Sequence, residues 1–188
     1  VMLAGVEKDG ETIKSVSVAS KAGTLKFSAH TFIDATGDAD LAAQAGCPFQ
    51  LGREDNLCQP MTLCFRIGNV DIEKYKESRP LMQRLYKQFQ SEGKIKNPRE
   101  DVLVFHTLVD GVLHFNTTRV VKLNPTDPLD VTNAEMTARE QMLEMYNFLH
   151  DNVPGFEHSQ LLYSASEIGV RESRMIVGEY VLTEYDLK

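Results

Sequence analysis

A chain of 188 residues is long enough to bury a hydrophobic core and suits one domain, or one and a part. Its formal charge of −7, with no basic cluster to reverse it locally, argues against nonspecific nucleic-acid binding. No run approaches the roughly eighteen apolar residues of a membrane span.

Met2 to Val6, the Asp9-Gly10 turn and Thr12 to Val18 read as a β-hairpin. A second turn at Lys21-Ala22-Gly23 leads to a third strand, Thr24 to Phe27, with Leu25 and Phe27 on one face. This antiparallel meander feeds the stretch around which the chain is organised, T-F-I-D-A-T-G-D-A-D-L-A-A-Q-A-G, residues 31–46. Phe32-Ile33 reads as a buried strand, and Ala35-Thr36-Gly37 as a tight turn whose small residues let another group approach the backbone. Asp38 or Asp40 is placed to cap an alanine-rich helix that Gly46 stops. A helix start attracts phosphate, but these two acids would repel it. A nucleotide at this corner would therefore meet it through sugar hydroxyls, a base edge or a ring, not through its pyrophosphate; an ordinary capped corner is the other reading.

Residues 47–57 are polar and read as an exposed crossing, followed by a strand from Met61 to Ile67 that ends at Gly68-Asn69. Asp71 caps a short helix through Tyr75. Pro80 opens another, with Leu81, Leu85 and Phe89 as its core stripe and Gly93 closing it. Lys94 to Glu100 reads as a solvated loop. Val102 to Phe105 and Val112 to Val121 read as strands joined at Asp110-Gly111. Asn124 to Asp130 is a loop before a capping box, Thr132-Asn133-Ala134-Glu135, and a helix to about His150 with Ala138, Met142, Met145, Tyr146 and Leu149 on one side. Leu161 to Ser166 and Arg174 to Leu182 complete the strands. The fold class is mixed α/β (α+β), with residues 1–46 and 47–188 as two parts.

The sequence holds no G-x-G and no G-x-x-x-x-G-K-[ST], the usual phosphate cradles. Cys47, Cys58 and Cys64 lack C-x-x-C spacing, and the five histidines lack a ligand spacing, so neither a disulfide framework nor a metal site is expected. No G-x-S-x-G elbow is present. On a strand through His114, period-two alternation puts Asn116 and Thr118 on the same face, where they could offer donors to a substrate or form an ordinary polar face. In an extended Arg171-Glu172-Ser173-Arg174, Arg171 and Ser173 point one way and Glu172 and Arg174 the other, and Arg–Glu neighbours commonly form structural ion pairs.

F-I-D-A-T-G-D-A-D-L-A-A-Q-A-G resembles the A-T-G-D segment of two-dinucleotide-fold flavoproteins, and more specifically that of a family of FAD-dependent oxidoreductases. The likeness continues through Gln59-Pro60-Met61-Thr62 with Phe65-Arg66, H-F-N-T-T-R at 114–119, V-P-G-F-E at 153–157 and I-G-V-R-E-S-R-M-I-V-G-E-Y-V-L-T at 168–183, with Ala39 where the family often has glycine. It implies an enzyme that uses FAD to oxidise or reduce a small-molecule substrate, of which this chain is a central fragment. The glycine-rich cradle would precede residue 1, so this chain taken alone is not expected to hold FAD. The resemblance also implies that Ala35, Thr36, Gly37 and Asp38 flank the cofactor and that Arg171 and Arg174 lie near the flavin or substrate as catalytic candidates, with Arg66 and Arg119 as weaker ones; His114 is a catalytic candidate from its place on the polar strand face. A homo-oligomer is compatible with the sequence; nucleic-acid and membrane partners are not expected. Two alternatives stand beside this reading: a noncatalytic carbohydrate- or partner-binding module, and a polysaccharide-degradation protein resembling xanthan lyases.

Overall fold

The computed structural model describes residues 1–187. In chain order its elements are β1 (Met2–Asp9), β2 (Thr12–Ser20), β3 (Gly23–Ser28), α1 (Asp40–Gln44), β4 (Phe49–Leu51), β5 (Phe65–Gly68) and α2 (Ile72–Ser91). Then follow β6 (Val104–His106), β7 (Leu113–Phe115), α3 (Pro128–Asn152), β8 (Gln160–Ser164), β9 (Arg174–Ile176) and a short 3-10 turn, Glu184–Leu187. Helices and antiparallel strands are mixed, as an α+β class requires.

Contacts divide the chain into two compact units, residues 1–56 with 173–187, and residues 57–172. The first unit closes on itself because β4 pairs antiparallel with β9, Gln50 opposite Met175, so the end of the chain returns to the segment after α1. Residues 47–57 are mostly exposed, as expected, but they are not irregular throughout, because Phe49–Leu51 takes up this pairing. The meander forms as expected, with Asp9 opposite Thr12 across the first turn and Ser20 opposite Gly23 across the second. Phe32-Ile33 does not form a strand. Its backbone finds no partner, and Ile33 is 86% exposed. Apolarity was the only signal for that strand, and a strand also needs a ladder neighbour.

The second unit is a four-stranded antiparallel sheet, ordered β6-β7-β5-β8, with one face packed on α2 and α3. Alternation assigns Phe65, Ile67, Leu113 and Phe115 to the packed face, where each is at most 1% exposed. The Phe65 and Phe115 rings stack there at 5.0 Å. Two helices expected on either side of Pro80 are one, α2. Asp71 caps it by accepting from the Lys74 N–H, and Tyr75, Ser78, Met82 and Tyr86 are its buried residues. An internal proline costs a helix about 3 kcal/mol, and this buried stripe, one residue off the expected Leu81-Leu85-Phe89 line, offsets it. The capping box at Thr132 is also replaced. Asp127 accepts from the Leu129 and Asp130 N–H groups, Pro128 takes the first helical position, and α3 starts five residues earlier. Glu135, freed from that duty, accepts from the Ile168 N–H. Gly155, just after α3, packs against the start of α2: its carbonyl accepts from the Asp71 N–H at 2.9 Å, and an added Cβ would lie 2.8 Å from the Asp71 carbonyl oxygen.

Candidate functional site

The corner at residues 34–46 is built by Asp34, not by Asp38 or Asp40 as expected. One Asp34 oxygen accepts from the Thr36 N–H at 3.0 Å and the Thr36 hydroxyl at 2.8 Å; the other accepts from the Ala42 N–H at 2.9 Å. Burial pushes this carboxyl up, but the hydrogen bonds outweigh it and hold it below its ordinary value. Thr36 Oγ1 in turn accepts from the Asp40 N–H. So the orphan donors of α1 are met from a loop that precedes the helix, and Ala39 stands at the N-cap with φ 55° and no side-chain bond. At the other end Gly46 stops the helix as expected: its N–H donates to Ala43 and that of Cys47 to Ala42, a Schellman arrangement. Arg174 closes the corner from β9, donating to the Asp38 carbonyl at 2.9 Å and the Asp40 carboxylate at 2.6 Å, with its guanidinium 5.6 Å from the centre of the Phe49 ring.

These bonds leave one side of the corner open. Asp34, Ala35, Gly37, Ala39, Ala42 and Ile176 line a concavity of about 380 Å³. Gly37 has φ +87°, and a Cβ there would meet nothing within 4 Å. The backbone at that point is bare to whatever occupies the concavity.

The second concentration of functional groups lies on the sheet of the other unit, on the face turned away from its core. Register sets four side chains in one row across the strands: Phe105 opposite His114, His114 opposite Arg66, and Arg66 opposite Tyr163. The Arg66 guanidinium lies 5.5 Å from the centre of the Tyr163 ring. Phe105 and Tyr163 are 47% and 53% exposed, which leaves aromatic surface at both ends of the row. Two residues along, Asn116 accepts from Arg171 Nη2 at 3.2 Å, and the same nitrogen donates to Thr62 Oγ1 at 3.1 Å. His114 Nδ1 is buried without a hydrogen-bond partner. Burial, and then the nearby Arg66 charge, push the His114 imidazole below its ordinary value, so the ring is neutral at pH 7. Cys64 shares this face by alternation; burial raises its thiol and Arg171 pulls the other way.

The family model for FAD dependent oxidoreductase matches residues 1–188. The chain belongs to that family. No curated protein and no solved structure matches it.

Within this FAD-dependent oxidoreductase, the residues singled out in the sequence fall into two groups. Ala35, Thr36, Gly37 and Asp38 share the corner with Arg174. His114 and Arg171 share the sheet face, linked through Asn116. Thr118, expected beside His114 and Asn116, is instead consumed by the fold, accepting from the Leu63 N–H and donating to its carbonyl. Arg119 is held by Glu100. Glu172 does not pair with either neighbouring arginine; it accepts from the Gln59 N–H at 2.7 Å. Sequence reasoning missed Asp34 as the builder of the corner, and Phe105 and Tyr163 as the flanks of the row. An acid two residues before a threonine was the available signal for Asp34. The cross-strand row had none, because register cannot be read from a single strand.

Proposed function

We propose that this chain supplies one flank of the FAD site and the substrate-facing sheet of a flavoprotein oxidoreductase. The observation that carries the reading is the open corner at Gly37, where bare backbone and small side chains border a concavity of about 380 Å³. Its chemistry suits an edge or ring of a nucleotide. Asp34 is fully engaged as an acceptor, Asp40 is paired with Arg174, and no cation points into the concavity to hold a pyrophosphate. The phosphate contacts are therefore assigned to polypeptide outside these residues. Bound FAD would accept or deliver two electrons, and the protein's part is to position it and to orient a small molecule against it. Thr36 and Gly37 shape the flank, Arg174 braces it, and His114 with Arg171 present polar groups to the substrate.

The test is the visible spectrum of the full-length protein and of its Gly37→Val variant. The wild type is expected to purify with a flavin absorption band. The variant is expected to lose most of it, because valine at positive φ is strained and its side chain fills the approach. The 188-residue chain alone is expected to be colourless. A full-length protein without flavin, or a folded variant with undiminished flavin, overturns the reading.

A further inference from the structure

The exposed face of the four-stranded sheet carries two guanidinium groups with no carboxylate to neutralise them. Among the described residues, ion pairs engage Arg53, Arg99, Arg119, Arg139 and Arg174 but not Arg66, Arg79, Arg84 or Arg171, and of these four Arg66 and Arg171 share the sheet face. Their partners are neutral: the Tyr163 ring for Arg66, and the Thr62 and Asn116 side-chain oxygens for Arg171. Arg171 even has an acid as its sequence neighbour, and Glu172 is bound elsewhere. Asn116 and Thr62 hold the Arg171 guanidinium from its Nε and Nη2 side, leaving further N–H donors of the planar fork for another acceptor.

The two arginines are on one face. Arg66 is opposite His114, and Arg171 binds Asn116, two residues beyond His114 and just past the end of β7, a step of about 7 Å. His114, opposite Arg66, has its Nδ1 buried without a hydrogen-bond partner. Across the strands the Phe105-to-Tyr163 row spans about 14 Å, three interstrand spacings, with half-exposed rings at both ends.

We propose that this face binds a flat aromatic or conjugated carboxylic acid, its carboxylate held by Arg66 and Arg171 and its apolar body laid along the row that ends in Phe105 and Tyr163. Calling that acid the substrate rests on the flavoprotein reading; the binding itself does not. Two arginine forks suit a carboxylate because it accepts from both nitrogens of a guanidinium at once. The exposed rings suit a flat body because they offer apolar area without conformational entropy to lose.

The experiment is calorimetric titration of the full-length protein with benzoate, benzamide and acetate, repeated on Arg66→Gln and Arg171→Gln, with the His114 ring resonances followed by NMR. Benzoate is expected to bind about tenfold or more tightly than benzamide and to shift the His114 resonances. Each glutamine variant is expected to weaken benzoate about tenfold and to leave benzamide unchanged. Acetate, lacking the ring, is expected to bind more weakly than benzoate. Equal affinity for benzoate and benzamide overturns the proposal, as does undiminished benzoate binding in both variants. Acetate binding as well as benzoate would show a site for any anion and overturn it too. Should a variant fail to fold by circular dichroism, the wild-type comparison and the His114 shifts still decide. Flavin absorbance on the same samples separates the two claims. Flavin without benzoate discrimination sinks this one alone; arginine-dependent benzoate binding without flavin sinks the other alone.

Discussion

The corner around Gly37 and the outer face of the sheet solve opposite problems. At the corner the polar groups that build the turn are spent on neighbours: Asp34 on Thr36 and Ala42, Thr36 on Asp40, and Arg174 on the Asp38 carbonyl and the Asp40 carboxylate. What remains open is shape, an empty flank lined by small side chains. On the sheet the shape is an ordinary pleated face, and what remains open is charge, in Arg66 and Arg171. The supports differ as well. Leu41 and Ala45 are the buried hydrophobic residues of the first unit, whereas Met61 through Ile168 contribute a continuous core beneath the sheet. A site that recognises by fit can sit on a local hydrogen-bond knot. One that carries unneutralised charge is mounted on a rigid, well-packed platform.

Substitutions that remove each support test this contrast, and the largest effect belongs to the platform. Phe115→Ala removes a fully buried ring stacked on Phe65, and is expected to cost about 3–5 kcal/mol. The chain has no tryptophan, so urea unfolding followed by tyrosine fluorescence, with Tyr75 and Tyr86 buried in this core, is the measurement. A loss under 1 kcal/mol would show that the sheet does not depend on the packing described. At the corner, Asp34→Ala should cost about 1 kcal/mol, the usual size of a lost cap. The readout is local: amide exchange at Thr36 and Ala42 should speed up about fivefold, and unchanged protection there would remove Asp34 from its assigned part.

The smallest and most diagnostic difference is in pH. His114 lies below its ordinary 6.5 in the folded chain, so its contribution to stability is complete above about pH 6.5 and declines as the pH falls through that value toward the folded one. Asp34 is likewise depressed, and its contribution is kept above about pH 3.8 and lost only in stronger acid. The sheet should therefore weaken two to three pH units before the corner does. Arg66→Gln removes the second cause of the His114 depression, so the ring should titrate nearer its ordinary value by NMR. A His114 that titrates at or above 6.5 in the wild type would contradict its burial.

Local chemistry made much of this fold legible. Asp9-Gly10 and Asp110-Gly111 marked hairpins, Asp71 marked the start of α2, and the Ala138-Met142-Met145-Leu149 stripe marked the buried side of α3. The failures share a physical cause, competition between a local signal and a distant partner. Thr132 to Glu135 spelled a capping box, but Asp127-Pro128 capped the helix first and Ile168 claimed Glu135. Pro80 signalled a break, and packing through Met82 and Tyr86 carried the helix past it. Phe49–Leu51 is too short to announce a strand, and its partner lies more than 120 residues away. The candidate sites followed the same rule. Ala35 to Asp38 could be picked out from their own composition, whereas the Phe105-His114-Arg66-Tyr163 row exists only once three strand registers are fixed.

The sulfur on that sheet face has its own significance. Cys64 stands on the same strand and the same side as Arg66, and Cys58, raised by burial and by Glu172, lies a few residues before it. Both thiols are held above their ordinary value, so at neutral pH they stay protonated, and peroxide attacks the thiolate form. Partial burial at both sulfurs, with the Glu172 charge added at Cys58, thus keeps these two cysteines in the form less open to oxidation.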